Sequence, residues 1–106
     1  MNKNLQNFKA YNLAKSSYLI CKNLKLPAYL KNQILRATSS AALNLAEGSA
    51  RRTPKDKRKF YNIALASLRE SQSVLDLAQL EGSPAEKIID QAAACTYKLL
   101  QVYGHE

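Results

Sequence analysis

The stretch ARRTPKDKRKFY, Ala50 to Tyr61, holds a helix stop and a helix start within a few residues. Thr53 has the side chain of an N-cap. Pro54 behind it suits the first helical position, where its fixed φ is already helical and its missing N–H has no partner to lose. No further proline or glycine follows before Gly82, so a helix is predicted from Pro54 to about Leu80. Along it Phe60, Ile63, Ser67, Glu70, Val74 and Leu77 recur at alternating steps of three and four, a heptad-like seam with two polar members.

Outward from this hinge the punctuation repeats. In EGSPAEK (Glu81–Lys87), Gly82 ends one helix, Ser83 caps the next, and Pro84 takes its first position. Glu86, three residues after Ser83, completes a capping box, and the final helix runs to about Tyr103. Upstream, Ala28 to about Ala50 carries Leu30, Ile34, Ala37, Ala41 and Leu45 as one stripe. LKLPAY (Leu24–Tyr29) precedes it, with Pro27 suited to a first turn. The first helix is predicted from Leu5 to about Lys25, on the spacing of Leu5, Phe8, Tyr11, Ala14, Tyr18 and Cys21. Four helices joined by short turns place sequence neighbours antiparallel. The fold predicted is therefore all-α, an antiparallel up-down-up-down four-helix bundle in a single domain, residues 1–106. A chain of 106 residues can bury a core without disulfide or metal.

The net charge is +8, and it is unevenly spread. Residues 1–59 carry a balance of +11 and residues 60–106 a balance of −3. Such asymmetry suits an anionic polymer or an anionic membrane surface and says little about fold. No apolar run approaches the roughly 18 residues of a membrane span, and MNKNLQNFKAYN lacks the apolar core of a signal peptide. Cys21 and Cys95 stand alone, without CxxC or Cys/His spacing, as reduced core thiols would in a cytoplasmic protein.

Arg36, Ser40, Asn44, Glu47 and Arg51 are separated by four, four, three and four residues, which aligns them on one helix face. That face adjoins Ala37, Ala41 and Leu45, so part of it is expected to be buried, and Glu70 at a seam position likewise. A buried carboxylate needs a cation or amide donors against it. The expectation is a structural polar network of Arg36, Ser40, Asn44, Glu47 and Glu70 that fixes helix register or an oligomer interface. Gly48 either admits a second helix closely or ends its own helix in the left-handed conformation. Paired carboxylates also serve acid–base chemistry. The rest of an active site is lacking: there is no Glu-x-x-His motif, no phosphate-cradling glycine loop and no nucleophile with a base. The only histidine, His105, reads as part of a solvated tail. No catalytic activity, cofactor or metal is expected.

Arg51, Arg52, Lys55, Lys57, Arg58 and Lys59 fall within nine residues, with Asp56 as the one offsetting charge. Cations after Pro54 oppose the helix dipole, which favours acidic residues near an N-terminus, so an anion is expected to compensate them. Helix N-terminal amides flanked by Lys and Arg form a natural phosphate site. Lys9, Lys15, Lys22, Lys25 and Lys31 are candidates to extend it, and Tyr61 is a candidate either for base stacking or for the core.

RATSSAALNLAEGSAR (36–51) followed by KFYNIALASLRES (59–71) resembles the small bacterial four-helix-bundle proteins encoded in intervening sequences of large-subunit ribosomal RNA genes. The accessory variability determinants of diversity-generating retroelements look like relatives of the same group. Ser40, Asn44, Ala46, Glu47, Gly48 and Arg51 match the first element, and Phe60, Ala64, Ser67, Leu68 and Glu70 the second. Ala66 stands where the family usually has glycine. The resemblance implies an antiparallel bundle, a homo-oligomeric ring (a homopentamer), and a basic surface that binds RNA or DNA, with no catalytic residues. The function expected is thus a non-catalytic, homo-oligomeric, RNA-associated nucleic-acid binder. The alternative is an oligomeric scaffold that recruits a protein partner.

Overall fold

The computed structural model describes residues 3–104, so His105 and the reading attached to it lie outside the described residues. A single-turn helix α1 (Lys3–Gln6) precedes four long ones: α2 (Lys9–Cys21), α3 (Ala28–Ser49), α4 (Pro54–Leu77) and α5 (Pro84–Val102). The predicted starts of α4 and α5 hold because their caps form. Thr53 Oγ1 accepts from the Asp56 amide at 3.1 Å, and Ser83 Oγ from the Glu86 amide at 3.3 Å. The Glu86 carboxylate reaches back to accept from the Gly82 amide at 2.6 Å.

Three boundaries differ from the prediction: the first helix ends at Cys21 instead of about Lys25, and two others have visible causes. The first helix is interrupted at Phe8, whose backbone is extended (φ −87°, ψ 99°), and the Asn12 side chain donates to the Gln6 carbonyl at 2.7 Å across the break. The interruption lets Phe8 pack its ring against Tyr61, centroids 6.2 Å apart. At the other boundary α4 stops at Leu77 instead of Leu80. The Leu80 amide donates to the Leu75 carbonyl at 2.9 Å, the Gln79 amide to Asp76 at 3.0 Å, and Gln79 has φ 59°. That is a Schellman closure with glutamine in the left-handed position that glycine ordinarily takes.

Cross-helix contacts fix the topology. Ser40 meets Ser67 while Gly48 lies against Phe60 and Tyr61, so α3 and α4 are antiparallel. Gln72 meets Asp90 while Arg58 meets Tyr103, which does the same for α4 and α5. Lys31 reaches Lys22 and Leu24, turning α3 back along α2, and α5 closes on α2. The bundle is up-down-up-down, as predicted.

Ala14, Ile34, Ala41, Leu45, Leu68, Leu75, Ile89 and Ala92 are fully enclosed at its centre. The buried hydroxyls of Ser17, Thr38, Ser71 and Thr96 each donate to the carbonyl four residues earlier, so they need no partner on another helix. In α4 the inward seam is Tyr61, Ala64, Leu68, Ser71 and Leu75, with Ser67 and Val74 beside it. Ile63 and Leu77, placed on the seam by sequence, are 41% and 72% exposed. The period was correct and the phase was not, because small residues at 64 and 71 hold the core while large apolar ones face outward.

Candidate nucleic-acid interface

The N-termini of α2 and α4 and the C-termini of α3 and α5 share one end of the bundle, and the 51–59 segment lies there. Lys57 Nζ donates to the Gly48 and Ser49 carbonyls at 3.3 and 3.2 Å, at the C-terminus of α3. Arg58 Nη1 donates to the Tyr103 carbonyl at 2.6 Å, at the C-terminus of α5. Cations misplaced on the dipole of α4 are thus well placed on the dipoles of its two neighbours, whose terminal carbonyls lack intrahelical donors. This accounts for two of the six basic residues without any bound anion.

The other four differ. Arg51 pairs with Glu47 and lies 4.9 Å from the Phe60 ring centroid. Lys59 lies over the same ring at 5.7 Å. Arg52 and Lys55 are exposed and make no hydrogen bond or ion pair among the described residues. Arg52, Lys55 and Lys59 therefore present charge to solvent with no protein carboxylate against them. Of the lysines named as possible extensions, Lys9 starts α2 at this end, whereas Lys22, Lys25 and Lys31 belong to the opposite end, where α2 turns into α3. Lys31 is engaged there with the Lys22 carbonyl at 2.9 Å.

Tyr61 is not available for stacking on a base. It is 2% exposed, set between Phe8 and Tyr103, with the second centroid 5.8 Å away. Burial, with a smaller contribution from Tyr103, pushes its phenol up to about 12. Its ring also explains Gly48. A Cβ there would lie 2.6 and 2.9 Å from Tyr61 Cε1 and Cδ1 and 3.1 Å from Phe60 Cβ. The glycine admits a close neighbour and does not end the helix, which continues to Ser49. The exposed aromatic near the basic end, among the described residues, is Tyr97 of α5, which no motif in the sequence marks. It borders a cleft of about 430 Å³ with Arg58, Asn62, Leu65 and Gln101. Only the packing of α5 on α4 reveals it, since Tyr97 and Arg58 are distant in sequence.

The expected polar network does not gather. Ser40 Oγ lies 3.1 Å from Ser67 Oγ, and Asn44 Nδ2 donates to the Ser40 carbonyl at 2.8 Å and to its hydroxyl at 3.2 Å. Arg36, Glu47 and Glu70 are exposed; Glu47 pairs with Arg51, and Glu70 accepts from Gln33. Neither carboxylate is buried: the α3 stripe that carries Glu47 lies about a quarter-turn from the core face of α3, and Glu70 lies one position off the inward seam of α4. Cys21 is buried and its thiol pushed up to about 11, mainly by burial and against the opposing effect of Lys31. Among the described residues no helix is long and apolar enough to cross a membrane, and no three His, Cys, Asp or Glu side chains converge as metal ligands.

The family model described as 23S rRNA-intervening sequence protein matches residues 4–102. No curated protein and no solved structure matches the chain.

Proposed function

This chain belongs to the 23S rRNA-intervening sequence protein family, and from that membership we propose that it is a cytoplasmic, non-catalytic, homo-oligomeric protein that binds RNA through the basic end of its bundle. The observation that carries this reading is the group Arg52, Lys55 and Lys59, exposed and unopposed by protein carboxylates, beside the N-terminus of α4. Arg51 borders the group from its pair with Glu47. Lys57 and Arg58 add to the local potential while their hydrogen bonds hold the ends of α3 and α5. Binding of this kind reads phosphates and not bases. Assembly into a ring, five copies on the resemblance to ring-forming relatives among the intervening-sequence and retroelement proteins, would multiply a weak protomer site by effective concentration.

The test is a salt series of RNA and DNA binding by nuclease-treated protein. Affinity falling linearly in log K against log salt is expected. Absence of binding to either polymer at low salt would overturn the reading and favour the alternative, a scaffold whose positive end meets an acidic protein.

A further inference from the structure

Tyr97 is 51% exposed, and among the described residues its phenol makes no hydrogen bond and its ring meets no other ring or cation. It borders the cleft of about 430 Å³ between α4 and α5. That size falls in the range of roughly 300–1,000 Å³ typical of small-ligand sites. Leu65 and the buried Leu100 give the cleft apolar surface beside the ring. Asn62 of α4 and Gln101 of α5 bring side-chain amides to it from two helices, and among the described residues neither amide makes a hydrogen bond. Each amide holds both a donor and an acceptor. Arg58 also lines the cleft, its guanidinium held there by the Tyr103 carbonyl at 2.6 Å. No carboxylate lines it.

The cleft lies on a line of positive charge. Lys55, Arg58, Asn62, Leu65 and Arg69 are spaced three, four, three and four along α4, which puts them on one face. Lys55 and Arg69 are exposed and pair with no carboxylate among the described residues. They stand about 21 Å apart along the helix axis, on either side of the cleft. Beyond Arg69, Gln72 donates to Asp90 of α5 at 3.1 Å and bridges the two helices.

We infer that this cleft takes one unstacked base of a bound single strand. Its face lies on the Tyr97 ring, its polar edge turns toward Asn62 and Gln101, and Lys55 and Arg69 meet the flanking phosphates. The inference rests on the RNA-binding reading above and extends it from phosphate to base. A nucleobase is flat, apolar on its faces, hydrogen-bonding at its edge and flanked by phosphates. Ring, amides and cations are arranged here to meet those features in turn. An acidic peptide would use the cations but has no flat face to offer the ring. Stacking of this kind tolerates any base, so it adds affinity without a sequence code.

The test compares two RNA oligomers of equal length and charge, one of uridines and one abasic, binding to wild type, Tyr97→Phe and Tyr97→Ala at fixed salt. Wild type and Tyr97→Phe are expected to bind the uridine strand about tenfold more tightly than the abasic one. Tyr97→Ala is expected to lose that preference while keeping its affinity for the abasic strand, its salt slope and its melting temperature. Equal binding of the two strands by wild type, or a preference that survives Tyr97→Ala, would overturn the cleft assignment and leave the basic-end reading standing. Polyglutamate binding that Tyr97→Ala weakens, with the two strands bound alike, would overturn it in favour of an acidic peptide. Failure of wild type to bind either strand at low salt would overturn the RNA-binding reading and the cleft with it.

Discussion

Gly48 and Tyr61 together set the basic end of the bundle. The glycine was legible in the sequence as a close approach or a helix end, and no pattern within one helix could choose between them, because the deciding ring comes from the next helix. Gly48→Ala gains about 1 kcal/mol of helix propensity but drives a methyl into Tyr61, at an overpacking cost of about 1–3 kcal/mol. A net loss is therefore expected, read as a melting temperature several degrees lower; a rise would contradict the packing described here. The Tyr61 phenol has a pH consequence. It ionises near 10 in the unfolded chain and at about 12 in the folded one, so the unfolded state sheds its proton first as pH rises. This contribution is intact below pH 10 and is lost between 10 and about 12. Urea denaturation of wild type and Tyr61→Phe across that window should show the wild type losing more stability. At Glu47 the expectation is small: Glu47→Ala removes an exposed pair and should cost no more than about 0.5 kcal/mol in the same denaturation experiment.

At the scale of the element, Thr53–Pro54 and Ser83–Pro84 mark two helix starts because caps are local chemistry that a sequence displays directly. By contrast, α3 starts after Pro27, which stands at the N-cap position with no side-chain cap bond. The end of α4 was hidden because Gln79 occupies a left-handed position without the glycine that would announce it. Gln79→Gly should therefore stabilise the protein by about 1 kcal/mol, since the Schellman closure is kept and the strain of a side chain at positive φ is removed. No change in denaturation midpoint would show that the glutamine is unstrained there. The phase of α4 was misread for a related reason: periodicity reports spacing, and two seams of equal period run along that helix. Ile63, Glu70 and Leu77 supplied the louder signal because they are large, while Ala64 and Ser71 mark the core by being small.

Across the whole molecule, the sequence displayed the excess of charge in its first 59 residues but not the division of labour within it. Lys57 and Arg58 close the ends of α3 and α5, and Lys31 closes α2, so part of the positive charge holds the bundle together. These uses depend on which helix ends meet, which only the assembled fold specifies. Arg52, Lys55 and Lys59 have no such use. The most direct test compares salt slopes for single-stranded RNA binding by wild type and by the triple variant Arg52→Gln, Lys55→Gln, Lys59→Gln, with melting followed in parallel. The account predicts an unchanged melting temperature, weaker binding, and a slope in log K against log salt shallower by about 2 for each protomer engaged. A triple variant that binds RNA with the wild-type affinity and slope would contradict it.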